Sequence, residues 1–357
     1  MQSLLNDRLG VKLPIIQAPM AGVATPQLAA AVSNAGALGS LGLGASTAEQ
    51  AEAQIKATQA LTSRPFNVNL FCHQPARRNP TQEQAWIARL QPEFTRLNAS
   101  PPVALSEIYT SFNHHDALLD VLLRTRPAVV SFHFGLPPQA VIEKLKAQGI
   151  VLLATATSLT EAQQSAASGI DGIVAQGYEA GGHRGMFDPQ QPDQQLSTLA
   201  LVQILHQAVD LPLIAAGGIM TSQGIAAALQ LGAQAAQLGS AFLLCPEAAS
   251  DATYREMIRA SHPASTVMTA AISGRPARSL ESAFTRQTRT ATAEEIPDYP
   301  LTYALGKALA QAASAQQVAG YGAYWAGQAV ALAQPRPAAE LIGQWAKELM
   351  RVSPVAR

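Results

Sequence analysis

Short apolar runs alternate with longer amphipathic stretches along most of the chain. The runs are Pro14–Ala18, Leu38–Leu41, Phe66–Leu70, Val129–Phe132, Val151–Ala154, Gly172–Ala175, Leu213–Ala216 and Ala236–Leu238. Most are β-branched or wholly apolar, the character of parallel strands buried on both faces. Between them lie stretches of good helix formers that open on capping residues. Thr25-Pro26 precedes Gln27–Asn34, Ser46-Thr47 precedes Ala48–Gln59, Ser158 opens a segment running to Ala167, and Thr221-Ser222 precedes Gly224–Leu231. Such alternation implies βαβ units with right-handed crossovers. Eight strands in this rhythm predict the α/β class and a (β/α)8 TIM barrel.

An open doubly wound sheet is the competing architecture, and it would carry G-x-G-x-x-G with an acidic residue about 20 positions on. Gly39-Ser-Leu-Gly-Leu-Gly44 has the wrong spacing, lies after the second strand and reads as tight turn packing. Two stretches interrupt the rhythm. Residues 73–127 exceed one helix and predict an extra helix over Gln82–Leu97, broken near Pro92. Residues 246–357 are rich in Ala and Gln and hold no convincing strand. The expected organisation is a barrel over 1–250, a helical cap domain over 251–320 and a C-terminal helix over 321–357 that returns to the barrel.

Composition narrows the function. The 357 residues suit one barrel of about 250 residues with an extension. Formal net charge is zero, which leaves no electrostatic footprint for nucleic acid or a membrane surface. The N-terminal residues are polar where a secretory signal needs an apolar core, and no apolar run approaches the roughly 20 residues of a membrane span. Cys72 and Cys245 lack CxxC spacing, so neither a disulfide scaffold nor a zinc site is expected. The seven histidines form no spaced ligand pair, and the adjacent His114 and His115 point two ways. The expected setting is the cytoplasm, as a monomer or homodimer acting on a small molecule, without metal.

The sharpest chemical signal is a pair of glycine turns. Leu213-Ile-Ala-Ala-Gly-Gly-Ile219 reads as strand, turn and helix start, and one unit later comes Ala236-Gln-Leu-Gly-Ser-Ala-Phe242. The turns after the seventh and eighth strands of such barrels commonly bind phosphate. Glycines let N–H groups approach it, and the following helix adds its dipole. Gly-Gly can also simply close a tight turn; two such motifs one unit apart favour phosphate.

Three segments carry a family likeness: Gln17-Ala-Pro-Met-Ala-Gly-Val23, Phe66-Asn-Val-Asn-Leu70 and Gln176-Gly-Tyr-Glu-Ala-Gly-Gly-His-Arg-Gly185. Together they resemble nitronate monooxygenase, formerly 2-nitropropane dioxygenase. Glu107-Ile-Tyr109, Ser131-Phe-His-Phe-Gly135 and Asp298-Tyr-Pro-Leu-Thr-Tyr303 with Lys307 look like its class I members. The likeness runs from Leu9 to about Lys307. It implies FMN as cofactor, contacted by Met20, Asn69, Gln176, Gly181, Gly217, Gly218, Gln237, Leu238, Gly239 and Ser240. It implies oxidation of alkyl nitronates, propionate 3-nitronate in particular, with O2 to a carbonyl compound and nitrite.

His183 follows a Gly-Gly turn at the catalytic face of the barrel. A nitronate is already an anion, so His183 is assigned to stabilising charge, with general-base action on a neutral nitroalkane second. His133 shares a strand face with Ser131 and is either a substrate contact or a buried histidine bonded to a carbonyl. Lys307 lies one helical turn beyond Tyr303. With Tyr299 it suits a substrate carboxylate; otherwise the lysine is a snorkelling surface residue. Tyr109 and Tyr254 either join that site or pack. Two other readings compete: an NAD(P)H-dependent flavin reductase of quinones or enoyl thioesters, and a flavin-binding scaffold. A nucleotide-dehydrogenase chemistry would need a cysteine in the loop after the sixth strand, and none is there.

Overall fold

Residues 3–261 and 265–352 are described by the computed structural model. Eight parallel strands form its centre: β1 (Ile15–Gln17), β2 (Gly39–Gly42), β3 (Phe66–Phe71), β4 (Val129–His133), β5 (Val151–Ala156), β6 (Gly172–Gln176), β8 (Leu213–Ala216) and β9 (Ala235–Leu238). They pair in sequence order from β2 to β9, β9 pairs with β1, and a parallel bridge between Ile16 and Leu38 joins β1 to the β2 edge. That closes the TIM barrel. A two-residue strand, β7 (Gly182–His183), interrupts the crossover between β6 and β8 and belongs to a different sheet.

The helices begin where the capping residues place them. Thr25, Thr47, Ser158 and Thr221 accept the N–H of the third helical residue in α1 (Pro26–Asn34), α2 (Ala48–Leu61), α6 (Leu159–Ala167) and α8 (Ser222–Gln230). In α2 the Gln50 side chain completes a capping box. Between α2 and α6 run α3 (Pro80–Arg96), α4 (Asp116–Thr125) and α5 (Gln139–Ala147), and α7 (Thr198–Ala208) leads to β8. The outer core lies between strands and helices: Leu28, Leu201, Leu205 and Ile225 on one side, Ile55, Leu122, Ile142 and Leu145 on the other. Inside the barrel, Leu4 and Leu5 join Ile16, Val129, Val151 and Ile214.

The structure corrects three expectations. The helix over 80–96 is not broken: Pro92 sits inside it. Proline removes one N–H and crowds one carbonyl, but here Pro92 and Ala88 are on the exposed face, where water serves the freed carbonyl. The buried face, Trp86, Ile87, Leu90 and Phe94, runs past the proline without a gap. Second, Gly39–Gly42 is the strand itself rather than a turn beyond it, though the glycines do serve close packing. Third, the region after β9 is not wholly helical. Besides α9 (Ala252–Arg259), α10 (Ala283–Gln287), α11 (Leu301–Ala315) and α12 (Ala338–Val352) it contains β10 (Thr266–Thr269) and β11 (Ala277–Leu280). These two and β7 form an antiparallel sheet in which Ala277 faces His183.

The missed strand has a physical explanation. β11 reads Ala-Arg-Ser-Leu, without the apolar alternation of a half-buried strand, yet all four residues are buried. Arg278 donates to the Tyr178 carbonyl at 3.1 and 2.9 Å, and Ser279 donates to that of Tyr324 at 3.0 Å. Hydrogen bonds let the polar half of this strand be buried beside Ala277 and Leu280. At the far end α12 packs against α1 and α8, where the helix of the eighth unit belongs; residues 353–357 of the expected C-terminal span lie outside the described residues.

Gly39 marks the tightest approach of α1 to the barrel. A Cβ there would lie 2.0 Å from the Ala29 carbonyl oxygen. Gly39→Ala is therefore expected to destabilise the fold by about 2–3 kcal/mol, the range of overpacking in a rigid core. Urea unfolding measures this; a change below about 0.5 kcal/mol, typical of a surface site, would contradict the contact.

Candidate active site

At the C-terminal ends of the barrel strands a cavity of about 960 Å³ opens, at the upper end of the roughly 300–1,000 Å³ that ligand sites occupy. One end is walled by the turns after β8 and β9. Gly217 and Gly218 adopt φ of +118° and +70°, a region that only glycine enters freely. No protein acceptor meets the N–H groups of Gly217, Gly218 and Gly239 among the described residues. They are donors without partners, lining the cavity beside Ser240. Glu179 stands next to this turn, but its carboxylate is drawn away by the N–H and hydroxyl of Thr198 at 2.9 and 3.1 Å, at the start of α7. The cap covers the same end: Gly327 N–H donates to Ser240 Oγ at 2.9 Å, and a Cβ on Gly181 would meet Gly327 N at 2.4 Å.

The polar strand ends are committed partly within the protein. Asn69 Nδ2 donates to Ser131 Oγ at 2.8 Å, which leaves Oδ1 without a protein partner. Gln176 uses its whole amide on the loop that follows: Nε2 donates to the His183 carbonyl at 2.9 Å and Oε1 accepts Gly185 N–H at 2.8 Å. His133 is similarly occupied. Its Nε2 faces the His183 carbonyl at 3.2 Å and must donate; its Nδ1 then accepts from the Thr155 hydroxyl at 3.1 Å. Both residues line the cavity, yet both act as braces for His183. For His133 the carbonyl-bonded alternative is the one the geometry favours.

His183 itself hangs into the cavity from β7. Nε2 lies 2.8 Å from Ser273 Oγ, and Nδ1 has no protein partner. Trp325, Phe134, Tyr299 and Tyr303 surround the ring, with centroids 4.9, 5.5, 5.7 and 6.1 Å away. The imidazole is half-buried, lining the cavity with these rings around it. That desolvation, aided by His133 and the Arg275 guanidinium, lowers its pKa to about 3. Burial lowers His133 and His73 to about 4. At neutral pH all three are uncharged, so His183 can stabilise an anion by hydrogen bonding but not as a cation.

The aromatic residues separate into two groups. Tyr109, Tyr299 and Tyr303 are in mutual ring contact, with centroids 5.9–6.4 Å apart. Lys307 Nζ rests 5.3 Å above Tyr109 and 5.5 Å above Tyr303. Burial raises the Tyr109 and Tyr303 phenols to about 12, so they remain hydrogen-bond donors. The Tyr299 hydroxyl is buried without a partner. Tyr254 also lines the cavity but stands apart from this group: it packs on Tyr324 and gives its hydroxyl to the Trp325 carbonyl. Leu238 is the one expected residue whose side chain does not reach the cavity. It is buried between barrel and helices, as its outward register on β9 requires.

Sequence reading missed Ser273, Trp325, Phe134, His73 and Arg275, which complete the wall around His183 and Tyr299. Ser273-Gly274-Arg275 does carry a signal in retrospect. Gly274 has φ +93°, and a Cβ there would lie 2.5 Å from Tyr299 N. A glycine between two polar residues marks a turn pressed against other backbone.

The family model described as Nitronate monooxygenase matches residues 2–348. The chain is 55% identical to the nitronate monooxygenase of Paraburkholderia phytofirmans, over 96% of this chain and 93% of that one. It is 50% identical to that of Pseudomonas aeruginosa, over 96% and 97%. Among solved structures it resembles the nitroalkane oxidase from Streptomyces ansochromogenes, with TM-score 0.87 and 39% identity, covering 97% of this chain and 98% of that one.

The depressed histidines make stability depend on pH. Below the ordinary histidine value of 6.5 the unfolded chain takes up protons on His73, His133 and His183, and the folded chain does so only near 3–4. Stability is therefore lost as pH falls through that window. Urea unfolding should give a free energy lower at pH 5 than at pH 7 by about 2 kcal/mol or more, with a smaller difference in His183→Asn. No difference between the two pH values would mean that these rings are solvated.

Proposed function

The chain belongs to the nitronate monooxygenase family and is an oxidoreductase, and on that premise we propose that it uses FMN and O2 to oxidise alkyl nitronates, propionate 3-nitronate foremost, to a carbonyl compound and nitrite. The observation that carries this reading is a single cavity with unpartnered glycine amides at one end and His183, three phenols and Lys307 at the other. Its residues suit FMN. The N–H groups of Gly217, Gly218 and Gly239 are free for a phosphate, and Ser240, whose Oγ accepts Gly327 N–H, retains its own proton to donate. Asn69 Oδ1 is an acceptor for the polar edge of the ring. FMN bound there supplies the redox chemistry by which the nitronate loses electrons to O2.

The chain's own residues then have definable tasks. The glycine turns and Ser240 hold the cofactor, and the aromatic wall excludes water. The nitronate is already an anion, so no carbon proton needs removal. His183, neutral and oriented by Ser273, presents Nδ1 to the nitronate oxygens; with its proton there, the ring donates to the negative charge. Lys307 and the phenols of Tyr109 and Tyr303 recognise a carboxylate on the substrate.

Anaerobic mixing tests the reading directly. Propionate 3-nitronate is expected to bleach the flavin quickly and NADH slowly; the reverse order would make the protein an NAD(P)H-dependent flavin reductase. A colourless purified protein would remove the flavin altogether. Lys307→Met is expected to raise KM for propionate 3-nitronate about tenfold more than KM for ethyl nitronate, the effect of losing one charge-assisted contact. Equal effects on both substrates would free Lys307 of that role.

A further inference from the structure

Behind the aromatic wall lies a guanidinium that no carboxylate meets among the described residues. Arg275 is only 4% exposed. Of the other two buried arginines among the described residues, Arg184 forms a fork with Asp193 at 2.7 and 3.0 Å, and Arg278, also without a carboxylate, has its guanidinium bonded to the Tyr178 carbonyl and to Thr266. Arg275 has one side-chain partner, the Met186 carbonyl, and its Nε is buried with none. The rest of the group lies flat on Phe134, Cζ 4.2 Å from the ring centroid. The acidic side chains within its field are engaged elsewhere: Glu161 by Thr157 and Phe187, Asp298 by Arg77, Asp188 by Gln190.

An unpaired buried charge is one of the least favourable arrangements in a protein. Burial lowers the guanidinium to about 10, so it stays charged at neutral pH. Its position gives the charge a purpose. Phe134 separates it from His183, His133 and Tyr299, whose rings are 5.5, 4.6 and 5.5 Å from Phe134 and all line the cavity. The three histidines of this wall are neutral, and Lys307 lies at its outer edge. Arg275 is thus the fixed positive charge at the inner face.

Resting on the function proposed above, we propose that Arg275 is a positioning residue whose charge, acting through Phe134 without touching the ligand, makes the cavity select the anionic nitronate over the neutral nitroalkane. The missing counter-ion is then the substrate itself.

Nitrate, a planar anion the size of a nitronate group, and neutral nitroethane are suitable probes for calorimetric titration of the holoenzyme. Arg275→Met removes the charge and keeps the length; Arg275→Lys keeps the charge. Nitrate is expected to bind Arg275→Met about tenfold more weakly, and Arg275→Lys within about threefold of the parent, while nitroethane moves by less than about threefold in both. The kcat/KM for ethyl nitronate should fall with nitrate affinity. Unchanged nitrate affinity in Arg275→Met, or an equal loss for nitrate and nitroethane, would overturn the proposal, since a structural role does not distinguish charge. Should Arg275→Met lose the cofactor, Arg275→Gln carries the same comparison. If the parent enzyme leaves nitronates untouched, the functional reading falls, and the nitrate titration still decides for Arg275.

Discussion

The carbonyl oxygen of His183 accepts hydrogen bonds from two barrel side chains, Gln176 on β6 and His133 on β4. These bonds fix where the loop after β6 crosses the barrel mouth, and much else follows from that crossing. Gly185, two residues on, is held by the other end of the Gln176 amide. β7 can then pair with β11, which positions the turn through Ser273 against the imidazole. The wall of aromatic rings closes on a histidine held from three directions. Buried polar groups are tolerated when fully bonded, and here their bonding defines the site.

The site carries little charge of its own. Desolvation keeps His73, His133 and His183 neutral and the phenols protonated. An anion entering such a space meets oriented donors in low dielectric, where each hydrogen bond is stronger than in water. Burial keeps the titration of these histidines below neutral pH, which suits the proposed reaction, whose substrate is already ionised.

The barrel was legible because its strands are apolar on both faces and its helices open on Thr or Ser caps, signals that local sequence carries by itself. The glycine turns after β8 and β9 were legible because two Gly-containing strand ends stand one βα unit apart in the sequence. What the sequence hid is what tertiary contacts decide. β11 escaped because Arg278 and Ser279 are buried by hydrogen bonds to residues 100 and 45 positions away. The unbroken helix through Pro92 depended on which face of it meets water. His133 showed its position but not its partners. The proposed substrate, finally, rests on family resemblance around Tyr109, His133 and Tyr299–Lys307, because no spacing rule says what a lysine among phenols binds.

The sheet of β7, β10 and β11 has a consequence for anyone wishing to rebuild this protein. Its first strand, with His183, is encoded within the barrel; its other two are encoded after the barrel is complete. The chain beyond β9 is therefore no module that can be cut at one junction and exchanged between relatives. A graft carrying only the chain beyond β9 would pair a foreign β11 with the resident β7 and set a foreign Ser273 against the resident imidazole. Chimeras between relatives would have to transplant residues 176–186 together with 266–327 as one discontinuous unit, and libraries that shuffle at the end of β9 would separate His183 from Ser273 and from the strand that pairs with it.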